Sequence, residues 1–148
     1  METIFVENSR WIKLTNIIDG FDGTLSIAEG NKHIPFGIKR VYYIYNLIND
    51  ESVIRGKHAH KKTEQVIFCI NGSCNIQLDD GINKQEIIIN SPNNGIYLGK
   101  KLWHTLYNFQ NNCILLVFAS ELFEESDYIR DYKYFLEYTK SIKHDTIQ

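Results

Sequence analysis

The chain has 148 residues, enough for one domain with a true core, and 43% of them are hydrophobic and 13% aromatic, which excludes a disordered chain. A formal net charge of −2 excludes a surface built as a whole to hold nucleic acid. The cysteines, Cys69, Cys74 and Cys113, are odd in number and lack metal-type spacing, and neither a signal-peptide core nor a membrane span is legible, so buried, reduced thiols in a cytoplasmic protein are expected.

Taken in chain order, short β-branched or aromatic runs predict strands over 24–29, 39–47, 65–70, 74–79, 85–89, 95–98, 103–107 and 113–119. Asp22-Gly23, Asn71-Gly72, Asp80-Gly81 and Asn93-Asn94-Gly95 punctuate them. FCINGSCNI reads as a hairpin turning at Asn71-Gly72. Only SDYIRDYKYFLEYTKSI changes period: Tyr128, Phe135, Thr139 and Ile142 fall near one stripe, and Ser126 or Asp127 is placed to cap a C-terminal helix. The expectation is one all-β domain over 1–148, an antiparallel sandwich or barrel, with a short helix packed against it.

RGKHAHKKTEQ raises the chemical question. On a strand, residues i and i+2 share a face, so His58 and His60 point one way and Ala59 the other. Arg55 precedes a bend at Gly56, and His104 lies on another predicted strand with Leu106 and Asn108 on its face. Imidazole titrates near neutrality, and neighbouring cations favour its neutral, basic form. Such a pair is suited to moving a proton between carbons beside a ketone. Arg40 sits in the apolar run GIKRVYYIYNL, where a charge is expected only if it faces a cavity. Tyr42 shares its side, and an arginine there suits phosphate oxygens. His33 and His144 read as solvated surface residues. Trp103 and Tyr97 read as core, with stacking on a base as the alternative.

These segments resemble the two motifs of the cupin fold, the double-stranded β-helix or jelly-roll sandwich. His58-x-His60, Gln65 and Gly72 follow the first motif; His104 and Asn108 follow the second. Gln65 stands where metal-binding cupins carry a glutamate, and Glu64 is expected to face away. An amide is a poor substitute for a carboxylate on a divalent ion, so the expectation is no metal, with a three-histidine site as the alternative.

The stretches IPFGIKRVYYIYNL, RGKHAHKKTEQVIFCINGSCNIQLDDG and ESDYIRDYKYF further resemble the sugar-nucleotide 3,4-ketoisomerase family, over about residues 17–135. That resemblance implies action on dTDP-4-keto-6-deoxy-D-glucose in deoxyamino-sugar biosynthesis, without a cofactor. It implies that His60 moves the proton between C3 and C4 and that His58 attends the sugar oxygens. Arg40 and Arg55 would bind diphosphate or sugar, with Tyr42, Gln65, His104 and Asn108 around the substrate. It further implies the galacto product and a homodimer with exchanged N-terminal strands. Asp22 before Gly23 departs from the family's Arg-Gly pair, which bears on product configuration. The alternatives are a dTDP-sugar 3,5-epimerase-like cupin, a metal-dependent cupin oxygenase and a non-catalytic nucleotide-sugar binder.

Overall fold

The computed structural model describes the backbone of residues 1–145 and side chains through Ile142. The expectation for His144 lies outside the described side chains. Ten strands precede one helix: β1 (Ser9–Lys13), β2 (Thr15–Ile18), β3 (Thr24–Ile27), β4 (Arg40–Ile44), β5 (Arg55–His60), β6 (Gln65–Asp79), β7 (Lys84–Ile89), β8 (Asn94–Leu98), β9 (Trp103–Ala119), β10 (Tyr128–Ile129) and α1 (Tyr132–Asp145). β2 and β3 pair with each other as a separate hairpin.

Two long strands organise the rest. β6 and β9 run antiparallel from Gln65↔Ala119 to Asp79↔Trp103, with register shifts near their middles. The first part of β6 also pairs with β8, which pairs with β1, while the last part of β9 pairs with β4. The other halves carry β7 on β6 and β5 on β9, with β10 beyond β5. The bend in the long pair folds these two halves face to face. Ile67 and Val117 from one half therefore share a buried cluster with Ile76, Leu78 and Leu106 from the other. This is the jelly-roll sandwich expected from the sequence.

The hairpin expected at Asn71-Gly72 is not formed. β6 continues through it, and the dipeptide makes the bend instead. Gly72 has φ +71°, and Asn111 and Asn112 opposite have φ +54°. The Asn71 amide donates to the carbonyls of both asparagines, at 3.0 and 2.9 Å. The left-handed backbone that would serve a two-residue turn here absorbs extra residues in a continuing ladder. Hence the four strands predicted over 65–70, 74–79, 103–107 and 113–119 are two.

The helix also starts later than expected. Ser126 and Asp127 belong to a 3-10 turn (Glu125–Asp127), and Asp131 caps α1 by accepting the Tyr134 N–H at 2.7 Å. Its stripe at Phe135 and Thr139 is buried as predicted, but Tyr128 lies on β10. Phe135 packs with Trp103, Ile129 and Ala59, the residue between the paired histidines. The helix thus braces the back of the strand whose front carries His58 and His60. His33 is not solvated: its ring is 11% exposed, and meets Thr15 Oγ1 at 2.9 Å and the Glu29 N–H at 3.2 Å.

Candidate active site

A cavity of about 500 Å³ opens inside the sandwich. β4 contributes Arg40 and Tyr42, β5 Arg55 and His58, β6 Gln65, and β9 His104. β10 and the residue after it add Tyr128 and Arg130. The strand alternation read from the sequence holds here, for Tyr43 is exposed on the outer side while Arg40 and Tyr42 face in.

The histidines gather at one end. The His58 ring lies 5.0 Å from that of His60 and 4.7 Å from that of His104, and His60 and His104 stack at 6.5 Å. A bulge sets this up. Gly56 and Lys57 have φ +78° and +56°, the register shifts after Gly56, and His58 comes to face His104. A Cβ on Gly56 would stand 2.7 Å from the His104 carbonyl oxygen, so a side chain is excluded at that bend.

Each ring anchors its Nδ1 on an oxygen: His58 on the Gly56 carbonyl at 3.1 Å, His104 on the Leu102 carbonyl at 3.4 Å, and His60 on Asp127 Oδ2 at 2.9 Å. A carbonyl or carboxylate only accepts, so Nδ1 carries the hydrogen and Nε2 is left as a lone pair on all three rings. Burial holds all three below the usual histidine range. Burial lowers His58 to about 4, helped by His60 and by Arg130. His104 lies well below, from burial and then its two neighbours. Burial lowers His60 too, although Asp127 pulls the other way. At neutral pH the cluster is three uncharged bases.

The two histidines are not equivalent. His58 forms part of the cavity wall; His60 is 3% exposed, lies against the Tyr128 ring at 4.4 Å, and keeps a buried Nε2 without a hydrogen-bond partner. Gln65 Nε2 donates to the Tyr42 hydroxyl at 2.8 Å, and burial raises Tyr42 to about 12, so it stays a neutral donor. The Arg40 guanidinium lies 5.5 Å from the Tyr42 ring and 5.8 Å from Phe123, and its buried Nε has no partner. Glu64 faces away from the cavity as expected, taking the Tyr97 hydroxyl at 2.5 Å. Among the described residues, no three His, Cys, Asp or Glu side chains form a metal-holding group.

Asn108 does not join the site. It is an exposed residue with φ +55°, bonded to Asn75 at 3.0 Å and Gln110 at 2.7 Å. The backbone turns left-handed there, so alternation from His104 and Leu106 stops short of it. Tyr97 lies under the Arg10 guanidinium, and Trp103 packs on Tyr132 and Phe135. Neither lines the cavity, in keeping with their reading as core.

Sequence reasoning missed Asp127, Tyr128, Arg130 and Thr63. For Tyr128 and Arg130 a signal existed: Asp127 and Ile129 alternate as buried residues with Tyr128 and Arg130, a strand period inside text read as helix. No local pattern announces Asp127, whose partner His60 is 67 residues away.

Residues 7–140 match the family described as FdtA: WxcM-like, C-terminal. A TDP-4-oxo-6-deoxy-alpha-D-glucose-3,4-oxoisomerase from Aneurinibacillus thermoaerophilus is 48% identical over 134 residues, 90% of this chain and 94% of that one. A double mutant of the QdtA 3,4-ketoisomerase from Thermoanaerobacterium thermosaccharolyticum, solved with TDP, is 42% identical and superposes with a TM-score of 0.87, covering 93% of this chain and 97% of that one. The WlaRB TDP-quinovose 3,4-ketoisomerase from Campylobacter jejuni is 43% identical, with a TM-score of 0.83 over 89% and 99% of the two chains. A family match across most of the sequence, and close relatives that share nearly its whole length, establish that the chain belongs to the FdtA (WxcM-like, C-terminal) family, on a cupin-type jelly roll.

Proposed function

We propose that the chain is a sugar-nucleotide 3,4-ketoisomerase acting on dTDP-4-keto-6-deoxy-D-glucose. The observation that carries the reading is the cluster of three neutral imidazoles at the end of a cavity that also holds Arg40 and Arg55. The reaction is an internal redox exchange. The proton on C3 leaves to a base, its electron pair forms the enediol, and O4 gains a proton. O3–H then loses its proton as C4 gains one, so C3 is oxidised, C4 is reduced, and no nicotinamide or flavin is needed.

His58 and His60 move these protons. His58 stands in the wall and meets the sugar; His60, the ring backed by a carboxylate, takes its share through the Nε2 that lacks a partner. Proton transfer by placed side chains contributes about 10²–10⁴-fold. Arg40 and Arg55 grip the diphosphate, and Tyr42, Gln65 and His104 hold the sugar and stabilise developing charge on oxygen. Asn108, on β9 outside the cavity, is assigned no contact.

The galacto configuration at C4 is the expected product. Overall identity does not choose it: relatives described as a TDP-quinovose and a TDP-fucose 3,4-ketoisomerase are 43% and 40% identical. A cytoplasmic homodimer with exchanged N-terminal strands completes the reading. Exposed Val41, Tyr43 and Ile70 on the outer face of the sandwich suit a second copy.

The test is incubation with dTDP-4-keto-6-deoxyglucose in D2O, with NMR of the product. The expected result is a carbonyl moved to C3 and deuterium at C4, lost in both His58→Asn and His60→Asn. Deuterium at C3 and C5 with the carbonyl still at C4 would mark an epimerase, and either asparagine variant turning over at the normal rate would remove that ring from the mechanism.

A further inference from the structure

The C-terminal segment does more than brace the sandwich. Asp127 is 3% exposed; its own N–H donates to the Glu124 carbonyl at 3.1 Å, while its carboxylate and its carbonyl are both turned to the His60 segment. Its Oδ1 accepts the Lys62 N–H at 2.7 Å; its Oδ2 accepts the Thr63 hydroxyl at 2.5 Å and the His60 Nδ1–H at 2.9 Å. Its carbonyl takes the Lys61 N–H at 2.9 Å, and the next residue, Tyr128, pairs with His60 in the sheet. The carboxylate is therefore fixed from both its main chain and its side chain. The other two imidazoles rest on peptide carbonyls, so His60 alone among the three has an anion behind it.

We propose that Asp127 is a positioning residue for proton transfer: it holds His60 with the hydrogen on Nδ1 and shares the positive charge that appears when Nε2 takes a proton. This rests on the ketoisomerase reading for its chemistry, though not for its geometry. The proton that leaves the sugar carbon as H⁺ resides on Nε2 and returns from there, while Asp127 stays ionised throughout. Burial alone would raise this carboxyl, yet the Thr63, Lys62 and His60 donors keep it below the usual aspartate range. The charged and titratable groups that bear on the His60 ring are His58, His104, Tyr128, Arg40, Arg130 and Asp127 itself. Asp127 is the one carboxylate among them.

Asp127→Asn tests this, because an amide turned toward the ring donates where the carboxylate accepted, and the hydrogen moves to Nε2. Three readings of the variant are needed: imidazole tautomer by long-range ¹H–¹⁵N NMR, kcat and KM, and TDP binding. The expected outcome is an Nδ1–H His60 in the parent and Nε2–H in the variant, with kcat down by on the order of 10²–10⁴-fold and TDP affinity unchanged. An unchanged tautomer with unchanged kcat overturns the proposal. So does a kcat loss matched by an equal loss of TDP binding, which marks a merely structural role. If Asp127→Asn does not fold, Thr63→Val removes one donor and leaves the carboxylate. It should lower kcat by about tenfold with TDP binding intact, and parental kcat there counts against the proposal. A parent with no turnover of the keto sugar refutes the functional reading alone, since the tautomer still reports on Asp127.

Discussion

Acidification should unfold this protein through its active-site histidines before its carboxylates matter. His58 is held at about 4 in the folded chain, against 6.5 for the ordinary ring. Between those values the unfolded chain binds the extra proton, so stability falls as pH falls and is fully present above about pH 7. The whole difference from the ordinary ring is up to about 3 kcal/mol, and the part that falls between about pH 7 and about pH 5 is up to about 2 kcal/mol. His60 and His104 are lowered as well and act with the same sign. Asp127, Asp80 and Glu124 have folded values below the usual carboxylate range, so the stability they contribute is lost only below about pH 4.5. Urea unfolding at a series of pH values measures the slope. His58→Asn, which removes the ring, should take up to about 2 kcal/mol out of the difference between about pH 7 and about pH 5. A flat profile over that interval, or the same slope in the variant, would refute the account of three neutral, buried bases.

Two further outcomes are expected. Phe135→Ala keeps a good helix former but empties a fully buried site against Trp103, Ile129 and Ala59; it should cost about 3–5 kcal/mol in thermal unfolding and raise KM, since the helix supports the strand bearing the histidines. Gly72→Ala places a Cβ 2.2 Å from the Gln110 carbonyl oxygen and 2.7 Å from that of Asn111, at φ +71°. It should therefore cost well over the roughly 1–2 kcal/mol that Gly20→Ala costs at φ +60° in open space, measured by the same unfolding assay.

The sequence carried the layered fold because short apolar runs recur between turn signals: Ile76 and Leu78 alternate as buried residues, while Val66 to Cys69 is apolar on both faces and is buried on both, Ile67 and Cys69 in one cluster and Val66 and Phe68 in another. It carried His58, His60 and His104 because their spacing sets them on strands that meet. What it hid was continuity. Asn71-Gly72 has the same composition whether it reverses a chain or bends one, and only the partner strand, with its own left-handed Asn111 and Asn112, decides. Asn108 was misplaced for the same reason, since a residue with φ +55° ends the alternation on which its placement rested. Asp127 was unreadable in kind: its role is a contact 67 residues distant, and its neighbours fit a helix cap equally well.

One consequence follows from where the last wall comes from. Six of the cavity's polar side chains lie between Arg40 and His104, while Tyr128 and Arg130, with Asp127 behind them, follow the entire sandwich in the chain. These residues are therefore the last part of the wall to leave the ribosome, after β1 to β9. A product cut short near residue 124 would lack Asp127, Tyr128 and Arg130, and with Ile129 and Phe135 gone it would leave Ala59 and Trp103 uncovered behind the histidine strand.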